Sequence, residues 1–229
     1  MCGRFTNEMT WADLHALYKL SDELYPVARS NMQPRYNIAP TQVVQFVHLD
    51  KAKNRELNKG RWWLVPFWAQ EVPKATMFNA RIETIDTSPA FREPFKNRRC
   101  LIPADAYIEW TKNVDDGGKD PWLLYLPEHR GFSFAGLWAH NDNLGVTSCT
   151  IITAPAVEHI AHIHGRMPVI LEENAYDAWL TGDAQGDDAK ALLLDNQLDS
   201  ELQFHRIGRA VNNSRYEGSD VKKPVVNPL

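Results

Sequence analysis

The most chemically informative feature of this 229-residue chain is a cysteine directly behind the initiator methionine, in Met1-Cys2-Gly3-Arg4-Phe5. A small second residue lets methionine aminopeptidase remove Met1, which would leave Cys2 with both a free α-amine and a thiol. Their ordinary pKa values, about 7.7–8.0 and about 8.5, let both supply nucleophile near neutral pH. Two chemistries follow. The thiol can attack an amide with the amine as its base, as in N-terminal-nucleophile hydrolases. Alternatively, the amine condenses with an aldehyde to an imine, and the thiol closes a five-membered thiazolidine. The competing reading is a small buried hydrophobe that merely follows the initiator.

Other residues could serve such a centre. His159, His162 and His164 form a His-x-x-His-x-His cluster. With no carboxylate or cysteine at a familiar ligand spacing, the cluster reads less well as a metal site than as a source of one acid/base histidine. His164, in Ile163-His164-Gly165-Arg166-Met167-Pro168, stands at a helix-to-strand turn with Arg166 beside it for an anion. Glu109, in Asp105-Ala106-Tyr107-Ile108-Glu109-Trp110, lies on a strand pattern that puts it on the face of Tyr107, opposite Ile108 and Trp110. It is either a solvated outer position or a buried acid with a raised pKa. Asn79 and Arg81 share a face if their segment is extended, and an amide beside a guanidinium suits a sugar hydroxyl and a phosphate. Basic and aromatic residues interleave in Phe91–Arg99 and Arg61–Trp68, as an unpaired nucleic-acid strand requires, although most of the 8 tryptophans should belong to the core.

The elements that must position these groups are mostly short strands. Candidates are Gln42–Leu49, Arg61–Val65, Cys100–Ile102, Tyr107–Trp110, Trp122–Leu126, Phe132–Trp138, Thr147–Thr153, Pro168–Leu171 and Phe204–Ile207, each β-branched or aromatic and bounded by turn residues. Helical patterns cover Thr10–Leu20, where Thr10 and Asp13 have capping-box spacing, and Ala156–His162, Asn174–Leu180 and Asp188–Asn196. The string predicts an α+β fold with a mainly antiparallel, barrel-like sheet and a few peripheral helices. It reads as one domain over 1–229, with a loose tail from about Lys222.

Composition narrows the class. The chain is 44% hydrophobic and 24% charged, which is ordinary for a globular protein. No run approaches the roughly 20 apolar residues of a membrane span, and the N-terminus lacks a signal-peptide core. Three cysteines make no disulfide framework, as expected in a reducing compartment. The net charge of −4 hides an uneven distribution. Between Glu172 and Glu201 stand 9 acidic residues and one base, Lys190, and the rest of the chain has 24 basic against 20 acidic residues. A basic face can therefore coexist with an acidic pI.

Five motifs in order resemble the SOS-response-associated peptidase family, proteins that cross-link abasic sites in single-stranded DNA. They are Met1–Phe5, Arg35-Tyr36-Asn37-Ile38-Ala39-Pro40, Asn79-Ala80-Arg81-Ile82-Glu83-Thr84, Arg99 to Trp110, and Ile163–Pro168. The resemblance implies that Cys2, freed of Met1, is the nucleophile. It implies Glu109 as acid/base residue, Asn79 as the group holding the terminal Cys and the sugar, and His164 as the catalytic histidine. It further implies DNA contacts from Arg4, Asn37, Trp68, Arg81 and Arg166, with Trp68 stacking on a base beside the lesion. Gly165 is a departure, because some relatives carry a charge there. The partner expected is single-stranded DNA containing abasic sites, including overhangs at duplex junctions. The protein is expected to act as a monomer in the cytoplasm, on the nucleoid in a bacterium, without metal, cofactor or membrane. Strand cleavage is an expected side activity, and removal of Met1 the sense of "peptidase". An N-terminal-nucleophile amidohydrolase and a non-catalytic single-strand binder remain the alternatives.

Overall fold

The computed structural model describes residues 2–21 and 32–225. The strands are β1 (Phe5–Asn7), β2 (Arg35–Ile38), β3 (Val43–Leu49), β4 (Arg55–Trp62), β5 (Asn79–Arg81), β6 (Arg99–Ala104), β7 (Ala106–Lys112), β8 (Lys119–Tyr125), β9 (Phe132–Asn141), β10 (Val146–Pro155), β11 (Arg166–Pro168), β12 (Ile170–Leu171) and β13 (Gln203–Arg206). The helices are α1 (Trp11–Tyr18), α2 (Arg92–Asn97), α3 (Glu158–Ala161), α4 (Tyr176–Thr181) and α5 (Gly186–Asp195).

In the larger sheet the pairing runs β10–β4–β3–β6–β9 and returns to β10, so five strands form a ring. The barrel-like α+β architecture read from the sequence is therefore present. Its pairs are antiparallel except where β10 meets β4 and β5. Closure requires close approach: a Cβ on Gly136 of β9 would meet the carbonyl oxygen of Thr150 on β10 at 2.9 Å. The second sheet has the order β13-β8-β7-β1-β2 and carries the N-terminal strand in its interior, with Phe5 opposite both Ile38 and Tyr107.

Local chemistry explains the elements. Thr10 caps α1: its Oγ1 accepts from the Asp13 amide at 3.2 Å, and Asp13 Oδ2 accepts from the Thr10 amide at 2.7 Å. The helix buries Trp11, Leu14 and Tyr18, and Tyr18 reaches Ser133 on β9 at 2.7 Å. Between the two sheets lies an aromatic core in which Phe5, Trp62, Phe134 and Tyr107 pack with Cys2. Phe5 meets Trp62 and Phe134 edge-on, with ring centroids 5.0 and 5.6 Å apart.

Several boundaries differ from the sequence reading. β4 starts at Arg55 and ends at Trp62 instead of covering Arg61–Val65, since the polar run Arg55–Gly60 pairs fully with β3. The strand expected at Pro168–Leu171 is two pieces. Val169 donates to Ile152 on β10 at 2.9 Å while its carbonyl accepts from Ala135 on β9 at 2.9 Å, so the segment changes partner there. The helix expected over Ala156–His162 is one turn, Glu158–Ala161. β1, β2, β5 and α2 were not anticipated. Of the expected tail, 222–225 is tied down. Lys222 pairs with Glu8 and with Asp105 at 3.3 Å, and the Val225 amide donates to Arg206 at 2.9 Å. The rest of that tail lies outside the described residues.

Candidate active site

Cys2 is fully buried, and the strand that follows it fixes its position. The Arg4 carbonyl accepts from the Ile108 amide of β7 at 2.9 Å and also receives the Cys2 thiol at 3.9 Å. The N-terminus is thereby laid along β7 at the level of Glu109. On the other side β5 pairs in parallel with β10, Asn79 opposite Ile151. This brings Asn79 Nδ2 within 2.8 Å of the Cys2 carbonyl, to which it donates. Asn79 is itself buried, and its Oδ1 has no hydrogen-bond partner among the described residues.

Glu109 is only 4% exposed, opposite Trp122 of β8. Burial raises its pKa, and the neighbouring His164 opposes that rise. Burial, reinforced by the charge of Glu109, also pushes the Cys2 thiol well up, so it is a protonated thiol at neutral pH. His164 lies in the turn between α3 and β11. Its Nδ1 is 3.0 Å from the Arg166 amide nitrogen and 3.1 Å from the Arg166 carbonyl oxygen. The same ring nitrogen can accept from the amide when bare or donate to the carbonyl when protonated, so either charge state has a backbone partner. His159 and His162 are both exposed, and His162 rests against Trp122 and Phe204.

Glu109 and His164 open onto one cleft of about 660 Å³, shared with Phe78, Trp110, Lys112 and Lys119. Lys112 and Lys119 are exposed and face each other across the β7–β8 hairpin. Neither lysine is among the residues expected from sequence, although their place at the ends of a strand–turn–strand pattern through Glu109 is a legible signal. Tyr107, 1% exposed, shares the core with Cys2, as its alternation with Glu109 allows.

The expected DNA contacts are spread more widely. Arg81, at the exposed end of β5, continues the face of Asn79. Arg166 is half-buried and holds Glu83 through two bonds of 2.7 and 3.0 Å, and it also donates to the Thr153 carbonyl at 2.7 Å. That guanidinium keeps the Glu83 carboxyl below its usual range. Trp68 is 52% exposed beside Phe67 at 48%, on the loop after β4. Arg4 and Asn37 instead form a brace. Arg4 donates to Asn37 Oδ1 at 2.6 Å and to the Val211 carbonyl at 2.7 Å, and its guanidinium lies 5.5 Å from the Trp110 ring centre. Asn37 is fully buried, and its Nδ2 donates to the carbonyls of Asn213 and Tyr216 at 2.9 and 2.8 Å.

The basic-aromatic stretch Phe91–Arg99 does not present one face. Arg99 is buried, donating to the carbonyls of Phe95 and Ala184 at 2.8 and 2.6 Å and stacked 4.5 Å from Trp179, and its burial lowers its pKa to about 10. Of the tryptophans, Trp11, Trp62 and Trp179 are buried and only Trp68 is exposed.

A buried second-position cysteine with an amide on its carbonyl, beside a buried acid that shares a cleft with a histidine, is the set of residues that the family resemblance names. The chain belongs to the SOS response associated peptidase (SRAP) family, whose profile matches residues 1–214. It is similar to the abasic site processing protein YoaM of Bacillus subtilis, 36% identical over 96% of this chain and 97% of the relative. It is also similar to the abasic site processing protein YoqW of Bacillus subtilis, 35% identical over 94% and 96% respectively. A crystal structure of a Bacteroides thetaiotaomicron protein shares the fold, with a TM-score of 0.79 at 23% identity over 96% of this chain and all of that one. Among the described residues no helix is long and apolar enough to cross a membrane.

Proposed function

We propose that this protein processes abasic sites in DNA by capturing the ring-opened deoxyribose aldehyde on Cys2. The observation that carries the reading is the meeting at Cys2 of an amide that holds its carbonyl, Asn79, and a buried acid, Glu109, which itself opens with His164 onto the neighbouring cleft.

Removal of Met1 makes the Cys2 nitrogen a primary amine. It adds to the C1′ aldehyde to give a carbinolamine, and loss of water leaves an imine. The thiol then adds to the imine carbon: the C–S bond forms, the thiol proton leaves sulfur and the ring nitrogen gains a proton. One water is released for each thiazolidine. Glu109, whose proton is held further toward neutrality than on a surface carboxylate, suits both proton transfers. It protonates the departing hydroxyl and then takes the thiol proton on its way to nitrogen. Asn79 holds the cysteine backbone by its carbonyl, and in this reading its unpartnered Oδ1 accepts from the new amine. His164 handles the sugar oxygen, with a backbone partner in either state. Strand cleavage is the branch in which the imine, which acidifies the C2′ protons, eliminates before the thiol closes.

Single-stranded DNA, including a short overhang at a duplex junction, fits the exposed Trp68 and Phe67 as stacking platforms and Arg81, Arg166, Lys112 and Lys119 as phosphate contacts. Arg4 and Asn37 serve this binding by bracing the N-terminus against the 209–216 segment. The protein acts as a monomer in the cytoplasm with no metal or cofactor, and its peptidase step is the loss of Met1.

Intact mass before and after incubation with an abasic single-stranded oligonucleotide tests the proposal. Loss of Met1 and a DNA-sized adduct less one water, absent in Cys2→Ala, is the expected result. A Met1-free protein that forms no adduct overturns it and points to amide hydrolysis, checked by a glutaminase assay. Salt-sensitive binding without an adduct leaves a non-covalent single-strand binder.

A further inference from the structure

Tyr107 is a side chain with no evident structural reason for its hydroxyl. It sits on β7 directly opposite Phe5, with its ring edge-on to Phe134 at 6.3 Å, inside the aromatic core. A phenylalanine would fill the same space. Yet the ring carries an oxygen that is buried and has no hydrogen-bond partner among the described residues. A hydroxyl buried without a partner is destabilising. The strand register puts it on the face of Glu109 and beside the segment in which the Arg4 carbonyl meets both the Ile108 amide and the Cys2 thiol.

We propose that Tyr107 is a positioning residue for the thiol of Cys2, its O–H donating to the sulfur as negative charge develops there during ring closure. This rests on the reading of Cys2 as the nucleophile. The thiol lies near the Glu109 carboxylate and the Arg4 carbonyl, and the Tyr107 hydroxyl, which has no hydrogen-bond partner among the described residues, belongs to the same buried cluster. The carboxylate and the carbonyl oppose charge on sulfur, so Tyr107 is the donor of this set. Burial, with the charges of Cys2 and Glu109, holds the phenol well above its ordinary pKa, so it remains a donor at every working pH. In the closing step the thiol proton passes to Glu109 and from there to the imine nitrogen, the C–S bond forms, and Tyr107 keeps its own proton throughout.

The test is Tyr107→Phe in Met1-free protein, read in three ways. Thermal unfolding should occur at the same or a higher temperature than in the parent, because an unpaired buried hydroxyl has been removed. Without DNA, methylthiolation of Cys2 by a small thiosulfonate, followed on the N-terminal peptide across pH, should slow about tenfold at pH 7.5, equivalent to about 1.4 kcal/mol. With abasic DNA, the imine trapped by borohydride should accumulate at the expense of thiazolidine. A variant with the parent's melting temperature, thiol reactivity and closure rate overturns the proposal. If the parent forms no adduct while Tyr107→Phe still slows Cys2 modification, the abasic-site reading fails and the Tyr107–Cys2 relationship stands.

Discussion

The side-chain amide of Asn79 donates to the backbone carbonyl of Cys2 across 2.8 Å, joining two residues that are 77 positions apart in sequence. The bond reaches the main chain of Cys2 and involves neither its nitrogen nor its thiol. Under the proposed function, Cys2 is held in place this way without using up either of its reacting groups. The oxygen of the same amide has no hydrogen-bond partner among the described residues.

Asn79→Ala removes both roles while keeping the strand. Cross-linking to abasic single-stranded DNA is expected to slow by at least about tenfold, and stability to fall by about 1 kcal/mol for the lost bond. Asn79→Asp keeps the shape but sets a carboxylate against the Cys2 carbonyl, and should be slower than Asn79→Ala. Single-turnover adduct formation and chemical denaturation of the three proteins measure these effects.

Glu109→Gln is expected to abolish rapid adduct formation and, at the same time, to stabilise the fold. The folded-state pKa of Glu109 is raised by burial, so the folded chain holds this proton more tightly than the unfolded chain. Its contribution to stability is therefore fully present below the ordinary value of 4.5 and is lost as pH rises through the folded pKa. The melting-temperature gain of Glu109→Gln should be present at pH 8 and close as pH falls toward 4.5. A gain independent of pH would contradict this account.

Asn37→Ala should leave Arg4 and the carbonyls of Val211, Asn213 and Tyr216 without their bridge. A stability loss of about 1–3 kcal/mol is expected from these unpaired buried groups. The 209–216 segment should become more protease-sensitive, read by limited proteolysis, and DNA binding should weaken through the disturbed N-terminus.

Glu83 occupies the guanidinium of Arg166 with both carboxylate oxygens. Glu83→Gln should release that guanidinium for phosphate, tighten binding to single-stranded DNA at low salt and steepen the salt dependence by about one unit of slope. Arg166→Ala should do the opposite. Fluorescence anisotropy at several ionic strengths separates the two.

Lys112 and Lys119 face each other across a hairpin, an arrangement of like charges that an anion between them relieves. Replacing both by alanine should lower the salt slope of DNA binding by about two units and leave the affinity of a neutral nucleoside unchanged. An unchanged slope would place the DNA elsewhere.

Much of this arrangement was legible in the sequence, and the parts that were not share a physical cause. The capping box of Thr10 and Asp13 and the apolar strands β9 and β10 are local signals, and they appeared where expected. The alternation of Tyr107 and Glu109 on β7 was also visible, but only tertiary packing turned their face inward and made Glu109 a buried acid. β1 and β5 are three residues each, too short to show a period, and the first half of β4 is polar because pairing with β3 holds it in place. Asn37 bonds carbonyls 174 to 179 residues further on, which no local pattern encodes. Arg99 reads like its neighbour Arg98 in sequence, but it is enclosed by Trp179 and backbone carbonyls where α4 packs on β6.

β10 is bonded along one edge to β4 and then β5, and along the other to β9 and then β11. Asn79 and Arg166, which come from distant parts of the chain, therefore hang from a single rod. Both are held by pairing to the far half of β10, the strand at which the ring closes through β4 and β9. Amide exchange at Ile151, Ile152 and Thr153 should consequently be slow, because these residues have a neighbouring strand on each edge. Under the proposed function, the lifetime of the hold on damaged DNA is then governed by the reversibility of the ring at Cys2, with the scaffold acting as a fixed clock case around it.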